Sequence, residues 1–187
     1  PLYVYHAEQI AHRAHQLKEA FKQCNARFFY ATKALTNINI LKLMKSLGLS
    51  LDCVSIHEVQ LRLKAGFDPS EILYTPNCVA FNEIEEARRL NVHININNIS
   101  ILEQFGNKYG NTYPVCIRLN PHIMAGGNFK ISTWHIDSKF GISIHQMRHI
   151  ERIVKTTRLH VKGLRPLLHD RTGLGTNKVK ELGCIFR

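Results

Sequence analysis

The chain predicts an α/β fold built on a barrel of parallel strands, (β/α)8 in its complete form. Extended and helical hydrophobic patterns alternate, strand-like runs begin at 28, 51, 72, 92, 115 and 159, and polar residues gather where those runs end. Such alternation implies parallel strands joined by right-handed crossovers. An open doubly wound sheet would also alternate, but no G-x-G-x-x-G follows the first strand, and the even spacing favours the barrel. A full barrel takes about 250 residues, so a chain of 187 holds roughly six of the eight strands.

The elements follow in order. From Ala7 to Lys22, Ile10, Ala14, Leu17 and Phe21 recur at helical spacing. Phe28 to Ala31 reads as a strand closed by Lys33. Asn37 can cap a helix that carries Ile38, Leu41 and Met44 and stops at Gly48. Leu51 to Val54 is the next strand, and Ser55 with Glu58 forms a capping-box pattern for a helix ending near Gly66. Ile72 to Tyr74 is a strand, with Asn82 and Glu85 at the following helix start. Val92 to Ile96, a helix from about Ser100 to Tyr109, and Val115 to Leu119 come next. A long Gly-containing loop, a helix around Gln146 to Val154 and the strand Leu159 to Val161 complete the series.

Hydrophobic residues make up 44% of the chain, enough for a sizeable core, and no apolar run reaches the roughly 20 residues of a membrane span. The sequence opens at Pro1, without a methionine, inside the strand-like run Leu2 to Tyr5, which suggests a trimmed start. Five scattered cysteines show no zinc-ligand spacing, and Cys53 and Cys116 lie in apolar runs where free thiols pack as small hydrophobes. A reducing cytoplasm is the expected location. The net charge of +11 raises nucleic acid as a partner, but the basic residues are dispersed over helical segments, so a cationic surface is expected instead.

In a barrel of this kind, chemistry collects at the C-terminal ends of the strands. Those ends carry Lys33, Asp52 and Ser55, Asn77, Asn95 and Asn97, Arg118 with Asn120, and then His169. Each has a plain alternative: Asp52 and Ser55 as caps, Asn77 as a turn residue after Pro76, Arg118 as a surface ion-pair partner. Lys33 is the sharpest candidate. A lysine that closes an apolar run either snorkels to water or, with apolar walls, loses its proton and attacks a carbonyl.

The segment Tyr30-Ala31-Thr32-Lys33-Ala34 resembles the Y-A-x-K-A motif of the fold-type III pyridoxal-phosphate decarboxylases. Further stretches agree in order: Pro1–Ile10, Leu51–Phe67, Glu71–Val79, Val115–Ser132 and His135–Ser143. Within that family they are most similar to the branch that acts on diaminopimelate. The resemblance implies an alanine racemase-like barrel and pyridoxal 5'-phosphate as cofactor. It also implies an amino-acid substrate, no nucleic acid or membrane partner, and a homodimer. It implies that Lys33 holds the cofactor as a Schiff base, that Arg118 lies near its phenolic oxygen, and that Asp52, Ser55 and Glu58 line its site. Decarboxylation of meso-diaminopimelate to L-lysine is the implied reaction, with related enzymes of ornithine, arginine or carboxynorspermidine as the alternative.

The chain also departs from that pattern. His57 stands where the family has glycine, Trp134 where a small residue is usual, and Lys139 matches a position of less defined role. After Leu164 the family continues with a histidine that stacks on the cofactor ring; here that position is Arg165, and His169 is displaced. We therefore expect residues 1–164 to be the N-terminal part of the cofactor-binding barrel and 165–187 a divergent tail. The family's C-terminal β-domain is expected to be missing and activity impaired, leaving at the extreme a non-catalytic remnant. Cofactor binding is expected to be weak, because neither Gly126-Gly127 nor Gly173-Leu174-Gly175 follows a strand and opens a helix as a phosphate cradle does.

Overall fold

The computed structural model describes residues 2–23, 25–122 and 140–166. Helices α1 (Ala7–Ala20), α2 (Ile38–Ser46), α3 (Ile56–Lys64), α4 (Phe81–Arg89), α5 (Ile99–Tyr109) and α6 (Met147–Thr157) alternate with strands. The strands are β1 (Phe29–Ala31), β2 (Ser50–Cys53), β3 (Ile72–Tyr74), β4 (His93–Ile96), β5 (Val115–Asn120), β6 (Ile142–Ser143) and β7 (Val161–Pro166). They form one sheet of seven strands in the order β1-β2-β3-β4-β5-β6, with β7 also paired to β5. Every pairing is parallel. Strands follow one another in sequence order without the reversal that marks a doubly wound sheet, so the architecture is part of a (β/α)8 barrel.

Local chemistry accounts for the element ends. Asn37 caps α2 by accepting a hydrogen bond from the Asn39 N–H at 2.9 Å, as the sequence suggests. Gly48 and Gly66 leave α2 and α3 with φ of +65° and +90°, a conformation that costs other residues strain. Four expectations need correction. Leu2 to Tyr5 form no strand and are exposed; an apolar alternation becomes a strand only when a sheet edge receives it. Asn82 does not cap α4, which begins at Phe81; its side chain accepts from the adjacent Glu83 N–H. The final strand begins at Val161 instead of Leu159, and the two-residue β6 is too short to leave a period in the sequence. Leu17, Phe21 and Ile38, which have helical spacing, are exposed and leave the core to Ala14, Leu41 and Met44.

Side chains alternate across the strands. Leu51, Cys53, Ile72, Tyr74, Ile94, Ile96, Val115, Ile117 and Leu119 share one core with helix residues such as Leu41, Val59, Ile84, Leu102, Phe105 and Ile150. Burying each such side chain contributes about 1.5–3 kcal/mol before the entropy of ordering is subtracted. The intervening residues turn to the opposite face, and there the layer is largely polar: Ser50, Asp52, His93, Asn95, Cys116, Arg118 and Asn120, with Phe29, Ala31 and Leu73 in register among them. Cys116 is therefore not a core residue; it lies half-buried on this polar face. Barrel interiors are usually filled with branched apolar side chains, so polar residues here must be held by one another.

Candidate functional site

The turn carrying Lys33 is held from below. Lys33 lies in a 3-10 turn, Thr32–Ala34, directly after β1. Its neighbour Thr32 is fully buried, with Oγ1 2.7 Å from Glu58 Oε2 and 3.0 Å from the Asp52 carbonyl. A hydroxyl has one proton, and the bond to a carboxylate is the stronger choice. Glu58 Oε2 also accepts the Val54 N–H at 2.9 Å, while Ser55 Oγ accepts the Glu58 N–H at 3.2 Å. The capping box is thus half realised: Ser55 caps α3, but the Glu58 carboxylate goes to Val54 and Thr32 instead of to the Ser55 N–H. That substitution joins the start of α3 to the Lys33 turn. Lys33 itself is exposed, so apolar walls are not what would make it reactive.

Beside it, the polar face forms a connected set. Asp52 accepts a hydrogen bond from Thr75 Oγ1 at 2.7 Å, and Asn95 Nδ2 reaches the same hydroxyl at 3.4 Å. Asn97 Nδ2 donates to Asn77 Oδ1 at 2.8 Å. Arg118 is only 5% exposed, with its guanidinium 5.0 Å from the centre of the Phe140 ring and, among the described residues, no hydrogen-bond partner for its Nε. It is no surface ion-pair residue. Lys33, Asp52, Thr75, Asn77, Arg118 and Phe140 surround a cavity of about 70 Å³. Of the sequence candidates, Lys33, Asp52, Asn77 and Arg118 come together here, while Ser55 and Glu58 stand behind as supports. Asn95 joins through Thr75. Asn120 lies at the end of β5, and Trp134, Lys139 and His169 fall outside the described residues. Thr32, Thr75 and Phe140 were not singled out. Thr75 follows β3 directly and could have been found by the strand-end rule that selected Asn77.

Electrostatics sharpen the roles. Burial raises the Asp52 pKa above the usual carboxylate range; the Thr75 hydrogen bond and the charges of Arg165, Arg118 and Lys33 oppose this without overcoming it. The folded state then binds more protons than the unfolded one, so stability falls as pH rises from the ordinary carboxylate value through the raised one. Asp52→Asn keeps an oxygen for Thr75 and removes the titration. It is expected to match wild-type stability near pH 4 or below and to exceed it at pH 7, as read from urea midpoints; a gap that is constant with pH would refute this. Burial pushes the Cys53 thiol up to about 12, which removes it as a nucleophile.

Two features test whether pyridoxal phosphate suits these residues. Lys33 offers an accessible amine, and Arg118 Nε is a buried donor with no acceptor among the described residues. They fit at those two points. The cavity of about 70 Å³ is smaller than the roughly 300 Å³ at which ligand pockets begin, so it takes part of such a molecule and not the whole.

Comparison with known proteins gives the same direction. Residues 7–167 match the family described as pyridoxal-dependent decarboxylase, pyridoxal binding domain. A diaminopimelate decarboxylase of Helicobacter pylori is 36% identical over 146 residues, covering 76% of this chain and 36% of that protein. One from Methanothermobacter thermautotrophicus is 34% identical over 155 residues, 82% of this chain and 36% of that protein. The crystal structure of Helicobacter pylori diaminopimelate decarboxylase complexed with L-lysine superposes with a TM-score of 0.75 at 32% identity, covering 89% of this chain and 42% of that one. The chain thus spans 36% to 42% of the length of these relatives.

Proposed function

The chain belongs to the pyridoxal-dependent decarboxylase family through its pyridoxal-binding domain, and we propose that it carries the lysine-bearing part of a site that decarboxylates meso-diaminopimelate to L-lysine. The single observation behind this reading is the Lys33 turn, pinned by Thr32 to Glu58 at 2.7 Å beside Asp52 and the buried Arg118. The choice of substrate is supported by the identity of the relatives.

Each residue has a task. Lys33 would supply the amine that holds pyridoxal phosphate and would serve there as an acid or base. Glu58 and Ser55 are positioning residues, acting through Thr32 and the start of α3. Arg118 offers a cation to an anionic oxygen of the bound ring. Asp52, its pKa raised by burial, would offer a hydrogen-bonding carboxyl in the cavity that Lys33 borders. When bound, pyridoxal phosphate supplies the sink for the electron pair left as the substrate carboxylate departs as CO₂. Assembly as a homodimer belongs to the same reading.

A second reading, a cofactor-binding remnant without turnover, is favoured by the small cavity and by Arg165 on the strand beside Arg118. The two are separated by measuring CO₂ released from meso-diaminopimelate and from ornithine by the chain with pyridoxal phosphate. Lysine formation from diaminopimelate in preference to ornithine turnover, lost in Lys33→Ala, is the expected result. Preference for ornithine overturns the substrate, and release from neither, with Lys33 still modified, supports the remnant.

A further inference from the structure

Helix α6 carries cations that the fold itself does not use. Its Ile150 and Ile153 are buried, and Met147 and Val154 pack against the same core. His145, in the turn before α6, and Arg148, His149 and Arg152 are instead exposed. Together with Gln146 they line a cavity of about 370 Å³, within the size range of ligand pockets. None of these residues borders the cavity of Lys33. Two contacts order the lining. The His145 ring stacks on His122 with ring centres 5.3 Å apart. Arg152 Nη2 donates to His149 Nε2 at 2.7 Å, since a guanidinium can only donate. Among the described residues Arg148 makes no hydrogen bond, and neither arginine lies within 4.0 Å of a carboxylate. Glu151, the nearest acid in sequence, does not line the cavity. Arg148 and Arg152 stand four residues apart, a spacing at which like charges weaken a helix, so helix stability does not account for the pair.

We infer that His145, Arg148, His149 and Arg152 form, on the exposed side of α6, a binding site for a small polyanion of the diphosphate class. Two guanidiniums one helical turn apart present two planar forks, and each fork matches two oxygens of one phosphate group. A diphosphate brings one group to each. The imidazoles and the Gln146 amide add donors around it. A metal cation is disfavoured there, because two fixed positive charges stand beside the imidazoles. An apolar ligand would strip water from these polar side chains without replacing its hydrogen bonds. The site goes beyond the proposed decarboxylation and uses none of its residues. The diphosphate can arrive as the free ion or as the tail of a nucleotide.

The test titrates pyrophosphate into the full chain by calorimetry, without divalent cations and with ionic strength held by chloride. Wild type is compared with Arg148→Gln, Arg152→Gln and Lys64→Gln. Lys64 is exposed at the end of α3, so its variant removes the same unit of charge elsewhere. Saturable binding that chloride does not reproduce is expected. It should weaken about tenfold or more in each arginine variant, the equivalent of one lost charge-assisted hydrogen bond, and stay close to wild type in Lys64→Gln. Where a glutamine variant does not fold by circular dichroism, the matching lysine variant, which keeps the charge and loses the fork, carries the comparison and is expected to weaken binding. Tighter binding of ADP than of pyrophosphate, with the same losses in the arginine variants, identifies a nucleotide tail as the ligand; the reverse order identifies the free ion. No saturable binding beyond chloride, or equal weakening in Lys64→Gln, overturns the site. Binding of heparin without binding of pyrophosphate overturns it as well, because a long polyanion then reads only the general charge of the surface.

Discussion

Borohydride reduction of the chain with pyridoxal phosphate is expected to fix the label on Lys33 in preference to every other lysine, and Lys33→Ala to lose most of it. The expectation rests on placement. Lys18 and Lys45 donate to the Leu47 and Gly66 carbonyls, Lys22 pairs with Glu19 at 3.1 Å, and Lys108 pairs with Glu85. Those amines are already engaged. Lys33 makes no hydrogen bond or ion pair among the described residues, and it borders a cavity that the Arg118 cation also lines. An amine held beside a counter-charge for the ligand gains effective concentration that a free surface lysine lacks. Lys33→Arg should fail like the alanine variant, since it restores charge without an amine. Thr32→Val, which releases the turn from Glu58, should lower the yield several-fold while leaving Lys33 in place; hydrogen bonds to charged groups contribute about 1.5–3 kcal/mol. Peptide mapping decides it. Label spread evenly over the exposed lysines would remove Lys33 from the site.

How much of this was legible in the sequence depends on what each residue answers to. Strands β1 to β5 were readable because each is an apolar run bounded by a turn or cap, and Asn37 and Ser55 cap as their residue types suggest. Lys33, Asp52 and Arg118 were found through strand-end position and resemblance. Their support was not visible. Hydroxyls such as Thr32 and Thr75 are ordinary in any strand, and only the register that sets β1 beside β2 brings Thr32 to Glu58. The Glu58 carboxylate was read as closing a capping box; tertiary contact redirected it. The run from Leu2 to Tyr5 looked like a strand because pattern alone cannot report whether an edge is present to receive it.

The most exposed failure of pattern is Arg62, and it yields the largest expected change in stability. On α3 it follows Ile56 and Val59 at helical spacing on the buried side, and it is 0% exposed. A sequence reader places an arginine there on the solvent side; the structure buries it, and among the described residues Nε and both terminal nitrogens have no hydrogen-bond partner. A cation in that position loses its hydration without a hydrogen bond among the described residues to offset it, whereas its methylene stem packs as an apolar chain would. Replacing buried ions by apolar residues of similar volume can stabilise a protein by about 1–4 kcal/mol. Arg62→Met is therefore expected to raise Tm by roughly 5–10 °C, at about 2–4 °C per kcal/mol for a chain of this size. Arg62→Ala removes the same charge but opens a cavity that costs about 2–5 kcal/mol, so it should fall well below the methionine variant. Arg62→Lys, still charged, should gain nothing. A lower Tm for Arg62→Met than for the unaltered chain would show that the guanidinium has an acceptor in solution, and that Arg62 holds α3 in place instead of straining it.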